Sequence, residues 1–564
     1  MAFRYREALL ALTLLGCASA ARFPLRAPLT RDVDQTPFAK APEEYYSPFA
    51  WDGANYMVFH PVTRLLAVDP AGPALNVNAL DEVPSSSWFE NRLGSRPMTS
   101  DEVSRGPCSD KVLDPNGPDG SWTIDKGKDN GANPGFRVNI PGLGKFMLKT
   151  DPETEPDRAT GATAIATRIY YAAGYHAPCD SVVYFRPSLL RLLPGLTVTN
   201  NEGTTKPFDQ AYLERILRQA SHKDGLVRMV ASAWLPGKAL GPYRYEGTRH
   251  DDPNDVIPHE DRRELRGGRL LAAWLNHFDT REQNTLDMFV PGDKNEKEGP
   301  GFVRHYIIDL GDCFGSQWTV DGISRRLGTS YIFDAGHIAE DFVTLGTQQR
   351  PWQRVHRTGG IFGYFSARDF EPEAWRGEYP NPAFVRMTEQ DGAWMARILS
   401  RFSDALTAAA VKVGKYDRAS ERYLVSTLIS RRQTILRRYL SRVSPLAQVE
   451  ADRTGVCAVD LARQTGTVPN EALSFRAYVY RGKQLEPAPK PRFRNVPAPR
   501  VCLELAHASF PKGLPQDSAE RYRVVDITNG YAPGPLRLHL YDLGEAGGFR
   551  LVGIERPQSL THPN

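Results

Sequence analysis

Several features are scarce in this chain, and each scarcity removes a class of protein. Beyond the N-terminal segment there is no run of about 20 apolar residues, so no internal transmembrane helix is encoded. The 6 cysteines include no C-x-x-C pair and no Cys/His cluster, which argues against a structural zinc site. There is no surplus of one charge either. The 70 basic and 66 acidic residues leave a net charge of +4, which gives no reason to expect nucleic acid as a partner. No internal repeat or low-complexity block is present, so the chain is not a solenoid. Turn formers, by contrast, are plentiful. With 44 Pro and 47 Gly, long loops are expected, and a hydrophobic fraction of 41% in 564 residues still permits a large core with additional modules.

The first 20 residues read as a targeting segment. Arg4 and Arg6 form a basic start, and Ala8 to Leu15 form an apolar stretch too short to span a membrane. Two processing sites compete. Leu14-Leu15-Gly16-Cys17 has the form of a bacterial lipobox, which would place a lipid on Cys17 and tie the protein to a membrane. Ala18-Ser19-Ala20 has the form of an A-x-A cleavage site, which would release it. The lipobox is preferred, and either route leads to an extracytoplasmic address, a lipid-anchored cell envelope or secretion. Disulfides are permitted there. Cys457 and Cys502 share the last segment and are expected to pair.

Residues 21–120 are polar and Pro-rich and read as an irregular N-terminal extension. Residues 121–238 then change character. Ser121 to Asp125, Phe136 to Ile140 and Lys145 to Lys149 read as three strands. The loop between the first two, Lys126 to Gly135, is dense in Gly, Asn and Lys. Glycines let backbone N–H groups curl around anionic oxygens, and a strand-borne lysine can reach phosphates. Lys128, Gly131, Gly135 and Lys149 are therefore candidate phosphate-binding residues. A β-meander with a flexible loop and a solvated lysine fits the same residues. A helix over Asp157 to Ala173, ended by Gly174, follows. Ser181 to Phe185 and Leu226 to Ala233 complete the strands, with 186–222 as an insertion.

Residues 239–446 hold the most informative stretch. A helix from about Pro258 to Leu275 delivers the chain into Asn276-His277-Phe278-Asp279-Thr280-Arg281-Glu282-Gln283-Asn284-Thr285-Leu286-Asp287. Leu286 to Val290 and Phe302 to Ile308 read as a hairpin, which ends at Asp309-Leu310-Gly311. Such a hairpin brings Asn284 and Asp309 together at its open end, where two oxygen ligands can hold Mg²⁺. Asp279 is the candidate base, with His277 in support. Asp287 and Asp312 read as turn or solvated carboxylates, and His305 as a packed or surface histidine. A helix–loop–hairpin of a binding protein is the plain alternative.

The order of these parts resembles the atypical protein-kinase-like superfamily. H-x-D-x-x-x-x-N has the spacing of a kinase catalytic loop, and D-L-G at Asp309 to Gly311 has the form of the metal-binding D-F-G. The segment from about 121 to 440 is similar to secreted kinases of the Golgi casein-kinase and spore-coat kinase type. It is also similar to bacterial exported proteins that carry K-T-D-P, W-L-P-G-K and N-H-x-D-x-x-x-x-N-T-L-D, here Lys149 to Pro152, Trp234 to Lys238 and Asn276 to Asp287. The resemblance implies a two-lobed α+β core, with 121–238 and 239–446 as its lobes. It implies ATP and Mg²⁺ as cofactors, and transfer of a γ-phosphoryl group to a protein or glycan acceptor. By the same resemblance Lys149 holds phosphates, Asn284 and Asp309 hold the metal, and Asp279 meets the acceptor hydroxyl. The sequence departs from the family at the helix after Lys149, where a kinase carries a glutamate. Ala162 and Thr163 are not acidic, and Glu153 and Glu155 precede the helix.

The remaining segments carry less chemistry. Two helices follow, one from Thr388 to Gly414 with a capping box at Thr388 and Asp391, the other from about Ala419 to Arg442. Arg431-Arg432 and Arg437-Arg438 on the second suit a solvated face or an anionic membrane surface. Residues 447–564 read as a β-sandwich-like module, in which Leu536, Leu538 and Leu540 alternate with Arg537 and His539. Three functions are carried forward: an exported kinase; a pseudokinase serving as an envelope binding module; and a metal-dependent hydrolase using His277, Asp279, His305 and Asp309.

Overall fold

The computed structural model describes residues 23–65, 72–108, 113–128, 133–199, 204–292, 299–316, 320–358, 360–561 and 563. The targeting segment with Cys17, and Gly131 in the glycine-rich loop, lie outside the described residues. Over the rest the protein is α+β, built of several separate sheets. The chain divides into two units, one of 30–76 and 83–439, the other of residues up to 29, 77–82 and 440–564.

The larger unit starts its main sheet with a meander, β1 (Trp122–Lys128), β2 (Gly135–Ile140) and β3 (Gly144–Lys149). Their apolar residues alternate: Trp122, Ile124, Phe136, Val138, Phe146 and Leu148 all turn to one face and are buried together. Removing each from water is worth on the order of 2 kcal/mol. Helix α1 (Arg158–Ala173) follows, then β4 (Asp180–Phe185), β5 (Leu190–Leu192), α2 (Gln210–Gln219), β6 (His222–Lys223) and β7 (Leu226–Ala233). The sheet order is β4-β7-β3-β2-β1-β5, with β6 against β7. Every pairing is antiparallel except β1 with β5. The 186–222 segment therefore contributes to this layer, through β5 and through Tyr212, Leu213 and Ile216 of α2, which enter its core.

Helix α1 is buried nearly all round, which its run of Ala, Gly and Thr allows. Gly174 ends it in a left-handed conformation, φ 129°, as the sequence suggests. Beside the main sheet lies a three-stranded sheet of β8 (Lys238–Gly241), β9 (Thr285–Pro291) and β10 (Gly301–Ile307). Helix α3 (Arg263–Leu275) precedes β9. It is shorter than the sequence reading, because Arg262 is extended (φ −85°, ψ 127°) and separates it from a single 3₁₀ turn, His259–Asp261. The paired glycines inside α3 have a packing reason. A Cβ on Gly267 would sit 3.0 Å from the Trp394 ring, and one on Gly268 3.1 Å from the Tyr175 hydroxyl.

Three more helices complete this unit: α4 (Glu389–Leu399), α5 (Asp404–Lys412) and α6 (Arg418–Tyr439). The Thr388–Asp391 capping box forms. The single helix expected to Gly414 is instead two, because Ser403 takes an extended conformation and caps α5 through the Leu406 N–H. Arg431 and Arg432 face neither solvent nor a membrane. Arg431 is buried, donates to the carbonyls of Trp274 (2.9 Å) and Ala273 (2.6 Å) at the end of α3, and stacks on Phe370. Arg432 is buried too and pairs with Asp404.

The smaller unit is two antiparallel sheets over one core. β11 (Leu446–Ala451), β12 (Gly455–Asp460), β15 (Arg492–Arg494) and β16 (Arg500–Glu504) form the first, in the order β11-β12-β16-β15. β13 (Arg476–Arg481), β14 (Glu486–Pro487), β17 (Tyr522–Thr528), β18 (Leu536–Asp542) and β19 (Phe549–Glu555) form the second, in the order β14-β13-β17-β18-β19. Leu446, Val456 and Leu503 of the first pack with Val525, Leu536 and Leu538 of the second, the arrangement of a sandwich. Cys457 and Cys502, directly opposed on β12 and β16, are disulfide-bonded. A second disulfide, which the sequence did not announce, joins Cys108 to Cys179 in the larger unit.

Candidate functional site

The site is built where β3 ends, where the loop after α3 turns, and where β10 runs out. Lys149 is the last residue of β3. Its neighbour in the ladder is Gly135 of β2. A Cβ at Gly135 would lie 2.0 Å from the Leu148 carbonyl oxygen, so this glycine is required by the close approach of β3. Lys128 lies at the end of β1 and donates to the Asn133 carbonyl, 2.9 Å, which closes the base of the glycine-rich loop.

From β3 the Lys149 ammonium reaches the carboxylate of Asp309, Nζ to Oδ1 2.9 Å. The Asp309 side chain is 47% exposed and that of Lys149 17%, so the carboxylate is within reach of solvent while the lysine is largely covered. Lys149 holds Asp309 below the usual carboxylate range. Burial would lower the lysine, but Asp309, with Asp180 and Asp312 behind it, outweighs burial and raises it. Asp309 has φ 56° and ψ 54°, a left-handed backbone that side chains seldom adopt.

The hairpin of β9 and β10 brings the loop and Asp309 together. Thr285 is opposite Ile307, and the next N–H, that of Ile308, donates to the Asn284 carbonyl at 2.9 Å. Asn284 is buried and donates its Nδ2 to the Asp279 carbonyl, 2.8 Å, leaving Oδ1 as its acceptor. Asp279 lies 3.0 Å from the Arg281 guanidinium, which in turn lies 3.0 Å from Glu378. Burial pushes Asp279 up to about 7 against the pull of Arg281, and Glu378 adds to the rise. Asp312 is also pushed up to about 7, by burial first and by Asp279 next. Asp312 lies in the 3₁₀ turn Leu310–Asp312 with its side chain a third exposed, and it also interacts with Asp279.

His277 is turned away from solvent. It is buried, its Nδ1 is 2.8 Å from the Tyr170 hydroxyl on α1, and burial lowers it to about 4. It is a neutral spacer between α1 and the loop. His305 is packed, one of its two readings, and Asp287 is buried, not solvated. They are directly opposed on β10 and β9, bonded at 2.6 Å, and His305 stacks on Trp88 at 3.4 Å. Among the described residues no three His, Cys, Asp or Glu side chains are placed to hold one metal ion. His277, Asp279, His305 and Asp309 are accordingly not one donor set.

Two groups escaped the sequence reading. Glu155 does not reach Lys149, since it is spent on Arg158. Arg158, the first residue of α1, is fully buried and bonds Glu155 (Nε to Oε2, 2.6 Å) and the carbonyls of Gly311 and Gly315, both 2.9 Å. It thereby holds the segment after Asp309 against α1. The second is Asp180, the first residue of β4, which is wholly buried, accepts from Thr167 of α1 at 2.5 Å and adds to the charge balance of Lys149. A charged residue inside an apolar helix pattern and an acid at a strand's first position were the only signals, and both are common.

Comparison with protein-family models, curated proteins and solved structures finds no match for this chain. The site alone therefore carries the functional reading.

Proposed function

We propose that the larger unit is a kinase-like nucleotide site that binds ATP with Mg²⁺ and transfers the γ-phosphoryl group to a protein or glycan hydroxyl. The observation that carries this reading is the Lys149–Asp309 pair at 2.9 Å, set beside the Asp279–Asn284 loop by the β9–β10 hairpin. Lys149 is paired with Asp309, and a metal on that carboxylate would release the lysine toward phosphates. The donor types suit Mg²⁺: a half-exposed carboxylate at Asp309 and an amide oxygen at Asn284 are both hard, with substrate phosphates and water as further ligands. A metal held by Asp309 and Asn284 would supply charge neutralisation at the phosphates. Lys149 orients the phosphates, and Asn284 braces the loop through the Asp279 carbonyl. Asp279, ionised, takes the proton of the acceptor hydroxyl as its oxygen bonds to phosphorus and ADP leaves.

A pseudokinase, binding without turnover, is the second reading, and one observation favours it: no carboxylate of α1 pairs with Lys149, because α1 contains no Asp or Glu, and Glu155 just before it is committed to Arg158. An extracytoplasmic address for either is supported by the two disulfides. It is compatible with the lack, among the described residues, of any helix long and apolar enough to cross a membrane.

Thermal unfolding with and without MgATP tests the shared part. At 100 times the dissociation constant, binding should add about 2.7 kcal/mol. No stabilisation at millimolar MgATP sinks the nucleotide reading. Transfer of labelled γ-phosphate by wild type and by Asp279→Ala then separates the two readings. Transfer that falls by about two to four orders of magnitude in the variant supports the kinase. No transfer by wild type supports the pseudokinase, and equal transfer by both removes Asp279 from its role.

A further inference from the structure

A cavity of about 530 Å³ lies in the larger unit, and neither Lys149, Asp279 nor Asp309 lines it. Its volume is in the range of small-molecule sites. Its walls come from the loop between α1 and β4, the end of β7, strand β10 and the segments around Arg31 and Arg92. Strand alternation explains the β10 contribution. Arg304 and Tyr306 point to the side opposite His305, so both face this space while His305 packs on Trp88.

The charges in the cavity do not balance. Arg31, Arg92 and Arg304 all line it, against a single carboxylate, Glu90. Glu90 is already paired with Arg92, at 2.7 Å. Arg92 is fixed further by the carbonyls of Tyr171 (2.8 Å) and Tyr175 (3.2 Å). Arg31 and Arg304 have no carboxylate partner among the described residues, and the Arg304 Nε is buried without a hydrogen bond. The wall residue His176 also keeps a buried Nε2 with no partner. Burial, then Arg92 and Arg304, hold that imidazole well below its usual range, so it is neutral and adds hydrogen-bonding capacity without charge. The cavity thus carries more cationic than anionic groups, and its buried polar atoms without a hydrogen bond cost free energy. An anion with several oxygens answers both, and the planar fork of arginine matches phosphate geometry.

We propose that this cavity is a second anion site, which binds the phosphate group of a small molecule through Arg304, Arg31 and Arg92, with His176 and Tyr306 at its wall. The proposal is independent of the nucleotide reading.

The test is calorimetric titration of pyrophosphate, without metal, into full-length Lys149→Met protein, whose candidate nucleotide site has lost its cation. Saturable binding is expected. Adding Arg304→Met to that protein should weaken it about tenfold or more, the worth of one charge-assisted contact. Arg31 is exposed, so Arg31→Ala keeps the fold, and it should weaken binding several-fold in the same background. Absence of binding in the Lys149→Met protein overturns the proposal. So does unchanged affinity when Arg304 and Arg31 are both replaced.

Discussion

At the scale of single residues, the loop after α3 is bordered by carboxyls whose proton affinity burial raises. Glu282 is buried, accepts from the Tyr56 hydroxyl at 2.6 Å, and is pushed up to about 7, by burial first and by Asp52 next. Asp52 is raised as well, chiefly by burial, and accepts from Tyr379, whose ring stacks on Tyr56. The sign of the resulting pH dependence follows from linkage. A carboxyl whose folded value lies above its unfolded value of 4.5 binds the proton more tightly in the folded state. Its contribution is complete below 4.5 and is lost as pH rises toward about 7, on the order of 3 kcal/mol in all. Unfolding free energies measured from pH 5 to 8 should therefore fall with pH through this group. Glu282→Gln should flatten that slope; an unchanged slope would show that Glu282 is not held protonated. Asp279 and Asp312 act in the same direction.

At the scale of elements, what was legible depended on sequence distance. The β9–β10 hairpin was readable because both strands and its turn are local. Once its register is known, the His305–Asp287 pair follows, since opposed residues in an antiparallel ladder keep a constant sum and Thr285 faces Ile307. Without that register Asp287 reads as a turn or solvated carboxylate, and His305 as a packed or surface histidine with no partner named. Arg158 was not legible by any local rule. Its partners are carbonyls of Gly311 and Gly315, more than 150 residues away, and backbone acceptors carry no sequence signature. The same holds for Arg431 at the end of α3, where a run of basic residues suggested a solvated face. A buried arginine bonded to carbonyls and one carboxylate should be costly to remove. Arg158→Met leaves Glu155 as a buried charge without its partner, and about 3–5 kcal/mol of stability should be lost. The Ser316 hydroxyl, which donates to Glu155 at 2.8 Å, offsets only part of this. Hydrogen exchange should rise first over 311–316. Protection there equal to wild type would mean that the segment is held by other contacts.

At the scale of the whole molecule, the sequence boundary near 447 is only part of the smaller unit. Its β-sandwich draws on two strips from far upstream. Phe23 and Leu25 pack on the cluster of Tyr522, Val524, Tyr541 and Val552, and Phe23 lies over the His539 ring at 4.6 Å. The Ile554 N–H donates to the Ala79 carbonyl, 2.8 Å, and Arg556 pairs with Asp81, 2.8 Å. None of this is visible in a pass along the chain, because residues 21–120 look irregular when their partners lie more than 400 positions later. Residues 440–564 alone would expose apolar surface that the full chain covers. Partial burial of Phe23 and Leu25 is worth about 1 kcal/mol each, and the Arg556–Asp81 contact adds to it. A 440–564 fragment should therefore unfold at lower denaturant than the corresponding sandwich signal of the full chain, while its Cys457–Cys502 bond, closing a 45-residue separation, keeps roughly 4 kcal/mol of chain-entropy stabilisation. Within the full chain, Phe23→Ala should lower that transition and leave MgATP-induced stabilisation of the larger unit unchanged. A fragment as stable as the full-chain sandwich would show that the upstream strips lie on its surface without contributing to its core.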